Sequence, residues 1–207
     1  MEYINEAKQT IRDIWFGNHV IKSVKGEEGF QEIIFGKPGT TMYQLKYVLS
    51  GNMLYVSGDL GIAAYELTGP ATIEELSRYD LYYFNSKLVA TKSNQYNFES
   101  KLATEEIRNY FFDYLDIKNV SELDRENRKL YNMLIRGARD CSNTNHFNST
   151  IYGIYQQTDV NWFNEEMAST FSYFGRQLSH RVISHWMGLQ MIGEFLGQSN
   201  QTKSVVV

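Results

Sequence analysis

A strictly alternating segment constrains the fold of this chain more than any other feature. Every second residue from 43 to 49 is a tyrosine or a leucine, and such alternation is typical of a strand with one buried face. Pro38-Gly39 before it and Ser50-Gly51-Asn52 after it favour turns. Similar β-rich runs lie on both sides. The sequence therefore predicts an antiparallel sheet of four strands, at about residues 30–35, 41–49, 53–57 and 62–67.

Helical patterns surround this sheet. Apolar residues at helical spacing predict an amphipathic helix over residues 3–16, and Thr72 with Glu75 is a capping-box pattern that predicts a helix to about Ala90. Three more helical patterns follow, at 107–115, after Ser121 and at 162–175, before a last helix over 179–196, with a polar loop over 140–150. The order predicts an α+β fold: an N-terminal helix, the four-stranded sheet at about 30–67, and a layer of about five helices. We expect one domain over residues 1–197 and a flexible tail over 198–207.

Composition limits the classes of function. The net charge of −4 over 207 residues argues against a general nucleic-acid binder, although a local basic stripe or a basic protein partner remains compatible with it. The single cysteine, Cys141, excludes an intrachain disulfide and suits a reducing compartment. No apolar run has the length of a membrane span, and no signal peptide is evident. We therefore expect a cytoplasmic protein without a membrane partner.

The turns of the sheet carry the first candidate site residues. Asp59 lies between two glycines, where a carboxylate could bind a metal ion or act as a base, but aspartate is also favoured in turns because its side chain bonds backbone amides. Lys37 and Thr40 flank Pro38-Gly39 and, with Tyr43, could bind an anion. One lysine and one turn fall short of a phosphate-binding loop, so a structural turn is the favoured interpretation.

The last predicted helix places Arg181, His185 and Gly188 on one stripe. His185 could act as a general acid or base, since its unperturbed pKa is about 6.5, yet a histidine beside a core is more often structural. Gly188 costs roughly 1 kcal/mol relative to alanine in mid-helix, which predicts close approach of another element. His180 and His185 do not share a helix face as a zinc pair would, so no metal and no cofactor is predicted.

Basic residues line one side of the helix predicted after Ser121. These candidate binding residues are Arg125, Arg128, Lys129, Arg136 and Arg139. They could contact phosphates, and Arg181 is a further candidate for the same role. The alternative is a solvated helix face, neutralised by nearby acidic residues at 122, 124 and 126. Both interpretations stay open at this point.

Two motifs carry a resemblance to a known group of proteins. The first comprises Lys37-Pro38-Gly39-Thr40, Tyr43, Gly51, Leu54, Val56, Gly58-Asp59-Leu60-Gly61 and Tyr65. The second comprises Arg181, His185 and Gly188-Leu189-Gln190-Met191. In the order and spacing of these residues, the chain resembles a widespread family of small proteins encoded by bacteriophages and other mobile elements. Residues 94–159 carry little of the resemblance.

The resemblance implies a phage or mobile-element origin and an accessory role in the cytoplasm of the host cell. Proteins of this general kind include inhibitors of bacterial immunity, among them anti-CRISPR proteins. The leading hypothesis is therefore a counter-defence protein that binds a Cas9-type effector or its guide RNA. The resemblance carries over no catalytic residue.

Three alternatives to this hypothesis stay open. One is an enzyme that cuts or modifies RNA, with Asp59, His185 and Lys37 as candidate catalytic residues. Another is a sponge for a small immune nucleotide, in which tyrosines stack on bases and arginines hold phosphates. The last is an accessory protein with an unrelated host target. A homodimer is a further expectation, because an exposed strand edge would permit one.

Overall fold

The chain folds into two units. The computed structural model describes residues 2–27, 29–92 and 94–203. The first unit consists of Met1–Gln95 with Leu178–Val207, and the second consists of Tyr96–Gln177. The α+β class predicted from the sequence is confirmed: the described residues contain eight α-helices and a six-stranded antiparallel sheet. The single domain expected over residues 1–197 stays a prediction.

The antiparallel sheet belongs to the first unit. Its strands are β1 (Val20–Glu27), β2 (Phe30–Gly36), β3 (Leu45–Ser50), β4 (Met53–Gly58), β5 (Ala63–Glu66) and β6 (Leu88–Thr91), and each pairs with the next along the chain. The four predicted strands correspond to β2–β5. The prediction of only four strands is wrong, because β1 and β6 extend the sheet at its two edges.

A bulge explains why β1 escapes the sequence pattern. The pairing register shifts between Ile21 and Ser23, so Lys22 is an extra residue in the strand. Such an insertion breaks the two-residue alternation by which strands are recognised. The pairing of β5 with β6 shifts as well, between Ala64 and Tyr65. Both edge strands therefore have an irregularity of the kind that hinders pairing with another chain.

The long helix predicted from residue 72 to about residue 90 is wrong. The hydroxyl of Thr72 does accept a hydrogen bond from the amide of Glu75, at 3.2 Å, but the helix that it caps is only α2 (Ile73–Leu76). Asp80 then caps a second short helix, α3 (Leu81–Ser86), and β6 follows directly. A cap specifies where a helix begins and carries no information about where it ends.

Two more helices complete the first unit. The predicted N-terminal helix is α1 (Glu2–Thr10), which continues as a π-helical turn at Ile11–Trp15. The last helix, α8 (His180–Lys203), extends past its predicted end at residue 196. Residues 198–203 of the predicted tail are therefore helical, and residues 204–207 lie outside the described part of the chain. Among the described helices, none is long and apolar enough to cross a membrane.

Helix α8 packs closely against the sheet at Gly188. A Cβ atom at this position would lie 2.1 Å from the hydroxyl oxygen of Tyr47 and 3.0 Å from a methyl carbon of Leu45. Both residues are fully buried on β3. The close approach that a mid-helix glycine predicts is therefore confirmed, and β3 is the element that approaches.

The second unit is mainly helical. Its elements are β7 (Tyr96–Phe98), α4 (Ser100–Leu115), a 3-10 turn (Val120–Glu122), α5 (Arg125–Asp140), α6 (Thr144–Gln157), α7 (Glu165–Phe171) and the first two residues of β8 (Arg176–Leu178). Buried phenylalanines at positions 111, 147, 163 and 171 are prominent in its core. Several of these rings pack edge to face, as Phe163 and Phe171 do with centroids 5.4 Å apart.

The polar loop predicted over residues 140–150 is wrong over most of its length. The side chain of Asn143 accepts a hydrogen bond from the amide of His146 at 2.9 Å, and α6 begins at Thr144, directly after this asparagine. Phe147, Ile151 and Ile154 are buried along one face of this helix. The asparagines and serines that predict a loop instead form the cap and the exposed face of a helix, because the same residue types favour both.

Candidate functional site

Thr40, Tyr43 and Asp59 come together in a turn beside β3 and β4. Tyr43 has a φ of +56°, a left-handed conformation that costs a non-glycine residue roughly 1–2 kcal/mol. The carboxylate of Asp59 accepts a hydrogen bond from the amide of Tyr43 at 2.8 Å, and the hydroxyl of Thr40 accepts one from the amide of Met42 at 3.1 Å. Asp59 thus holds the strained turn, and Lys37 is exposed in the same segment.

Residues that the sequence analysis did not single out complete this turn. Trp15 stacks on Tyr43 with ring centroids 4.9 Å apart and planes 7° from parallel. His19 donates from Nε2 to the carbonyl of Tyr43 at 3.1 Å, and burial lowers the pKa of His19. The ammonium group of Lys22, the bulged residue of β1, donates to the carbonyl of Thr40 at 3.2 Å. The turn is therefore fixed by contacts distant in sequence.

His185 is enclosed in the core of the first unit. Only 1% of its surface is exposed. Its Nε2 donates to the carbonyl of Leu60 at 3.2 Å, and its Nδ1 accepts from the hydroxyl of Tyr65 at 3.0 Å. A carbonyl can only accept, so these contacts select the neutral tautomer that is protonated on Nε2. Burial, together with the charge of Arg181, lowers the pKa of His185 to about 4.

The two motifs of the resemblance meet at this histidine. Leu60 and Tyr65 belong to the first motif, and both contact His185 of the second. The hydroxyl of Tyr47 donates to the carbonyl of His185 at 2.9 Å, next to the close contact at Gly188. The meeting point lies in the core, where it stabilises the packing of α8 on the sheet.

The three candidate catalytic residues have separate structural surroundings. The carboxylate of Asp59 holds a backbone turn, His185 is buried and neutral at pH 7, and Lys37 is exposed. Both ring nitrogens of His185 are engaged within the fold, so neither is placed to exchange a proton with a substrate. Across residues 2–27, 29–92 and 94–203, no three histidine, cysteine, aspartate or glutamate side chains are grouped to hold a metal ion.

In the second unit, α5 presents most of the predicted basic residues to solvent. One face of this helix is buried through Leu130, Leu134 and Ala138. The opposite face carries a shallow, open groove of about 420 Å³, whose lining residues all belong to α5: Arg125, Arg128, Lys129, Asn132, Met133 and Arg136. Asn132 and Met133 were not among the predicted binding residues, although helical periodicity places them between Lys129 and Arg136.

Three of the predicted arginines differ from the others. One guanidinium nitrogen of Arg128 donates to the carbonyls of Ser121 and Leu123, at 2.9 and 3.1 Å, so this side chain secures the backbone before α5. Arg139 lines a different surface depression, together with Glu99 and Glu105. Arg181 is exposed in the first turn of α8, in the first unit. The groove therefore brings together Arg125, Arg128, Lys129 and Arg136.

Comparison with protein-family models, with curated proteins and with solved structures finds no match for this chain. The turn at Tyr43, the buried His185 and the basic groove on α5 are therefore the basis for a functional proposal.

Proposed function

We propose that this protein is a phage-encoded inhibitor of bacterial immunity that acts by binding its target. The proposed target is a Cas9-type effector or its guide RNA. The resemblance of the two motifs supports the proposed origin and the proposed class of target. The observation that supports binding over catalysis by His185 is the burial of this residue, with both ring nitrogens hydrogen-bonded inside the fold.

The charge distribution supports binding to a nucleoprotein. A net charge of −4 favours association with a basic surface such as a nucleic-acid channel. The groove on α5 adds a local basic surface that can face the nucleic acid itself. One chain of this kind has complementary charge for both components of a protein–RNA complex.

The experiment that tests this proposal is a capture from the lysate of a CRISPR-bearing host. The tagged protein is incubated with the lysate, and the bound proteins and RNA are both identified. We expect an intact Cas effector together with guide RNA of full length. The control is the same tag fused to an unrelated folded protein of similar net charge.

Other results of this capture would favour one of the alternative functions or contradict the proposal. Shortened guide RNA in the complex would favour the RNA-cleaving enzyme. A small nucleotide in the eluate, without an effector, would favour the sponge. If the folded protein recovers neither effector nor guide RNA, the proposal is wrong.

A further inference from the structure

We infer that the groove on α5 binds the phosphodiester backbone of a nucleic acid strand. The inference deepens the proposed function and rests on it for the identity of that strand, the guide RNA. RNA and DNA share the phosphodiester chemistry, so the test below includes both.

The first observation concerns the charges of the basic residues in the groove. Within the described residues, Arg125, Lys129 and Arg136 form no ion pair with a carboxylate, whereas Arg12, Lys46 and Arg78 each do. The two carboxylates of α5, at positions 126 and 140, lie near its ends, and residues 127–139 contain no acidic residue. An unpaired row of cations on a chain of net negative charge attracts a polyanion locally.

The second observation is the spacing of these basic residues along the axis of α5. At 1.5 Å per residue, Arg125 and Lys129 are about 6 Å apart along the helix axis, and Arg136 lies about 10 Å further on. The row spans about 16 Å, which corresponds to about five phosphates of one strand at 3.4 Å of axial spacing. Asn132 lies in the middle of the row and offers an amide to phosphate or sugar oxygens.

The third observation is that contacts within the second unit hold α5 rigidly. The side chain of Asp124 caps α5 by accepting from the amide of Asn127 at 2.8 Å, and Arg128 secures the preceding turn. Gly137 lets α6 approach, since a Cβ there would lie 2.8 Å from a methyl carbon of Thr150. The cations therefore project from a fixed helix, and little ordering of the backbone opposes binding.

The number of phosphate contacts predicts how steeply RNA affinity falls with salt concentration. About three phosphate contacts with a single strand give a slope of log K against log salt concentration of about −2. Between about 50 and about 200 mM salt, affinity for a single-stranded RNA should then fall about 20-fold.

The test uses the whole protein and a fluorescent single-stranded RNA of about 20 nucleotides, the length of a guide segment. Binding is followed by fluorescence anisotropy over the same salt range, with DNA of the same sequence and polyglutamate as parallel probes. The test variant is Arg125→Gln/Lys129→Gln/Arg136→Gln, which keeps good helix formers at all three positions. Arg128 is left in place because of its backbone contacts.

The matched control is Lys25→Gln/Lys92→Gln/Lys118→Gln, which changes the net charge equally at three exposed lysines elsewhere. We expect the test variant to lose at least about tenfold in RNA affinity at low salt and most of the salt slope. The control should stay within about twofold of the unmodified protein. Circular dichroism confirms that both variants keep their helices.

Several results would overturn the inference. They are no RNA binding by the unmodified protein at low salt, equal losses in the two variants, or tighter binding of polyglutamate than of RNA. Equal affinity for RNA and DNA supports a backbone contact, and a preference for RNA supports guide RNA as the strand. If the test variant still captures the effector from lysate, binding of the effector survives while the groove is excluded as its contact, so the two proposals fail separately.

Discussion

Replacing Gly188 with alanine is expected to lower the free energy of unfolding by about 3 kcal/mol, the cost of overpacking a tightly filled core. The new methyl group would lie 2.1 Å from the hydroxyl oxygen of Tyr47. That hydroxyl is fully buried and bonded to the carbonyl of His185, so it cannot move away without losing a hydrogen bond. Urea unfolding followed by circular dichroism measures the loss.

Two further variants control this result. Gly197→Ala makes the same substitution in the same helix, where an added Cβ has nothing within 4 Å, so its stability should equal or slightly exceed that of the unmodified protein. Tyr47→Phe/Gly188→Ala removes the oxygen that the methyl group meets and should be less destabilised than the sum of its single changes. Equal stability of the Gly188→Ala and Gly197→Ala proteins would contradict the packing described for α8.

The second large effect is a loss of stability at acid pH caused by His185. Its pKa in the folded protein is about 4, below the unperturbed value of about 6.5, so the folded state favours the neutral ring. This stabilisation is fully present above about pH 6.5 and is lost as the pH falls towards 4. At about 1.36 kcal/mol per pKa unit, the loss amounts to roughly 3 kcal/mol.

Unfolding at a series of pH values from 7 to about 4, for the unmodified protein and for His185→Gln, measures this effect. The stability difference between the two proteins should shrink as the pH falls. His19, whose pKa is also lowered by burial, contributes equally to both proteins and cancels in the comparison. Parallel pH profiles for His185→Gln and the unmodified protein would show that His185 has no such role.

The sequence predicts those parts of the fold that depend on local pattern. The alternation around Tyr47 identifies β3 and its neighbours, and the glycine at 188 predicts a close contact with another element. Local pattern fails for two reasons. An inserted residue, Lys22, interrupts the alternation of β1. In addition, one residue type can serve two purposes, because Asn143 caps a helix in a segment whose composition also suits a loop.

The candidate site shows the same division. The turn at Thr40 and the basic face of α5 are continuous or periodic in sequence, and both are predicted. The stacking of Trp15 on Tyr43 and the bond between Leu60 and His185 join residues far apart in the chain, so no local pattern predicts them. Nor does periodicity reveal that Arg128 is committed to backbone carbonyls.

A titration of a purified, guide-loaded effector with this protein tests directly whether the protein inhibits by binding. The effector is held well above the dissociation constant, and its DNA cleavage and the length of its guide RNA are followed together. If the protein acts by binding, cleavage falls linearly to an equimolar end point and the guide RNA keeps its full length. Complete inhibition at substoichiometric protein, increasing with time or accompanied by shortened guide RNA, would contradict the account and identify an enzyme.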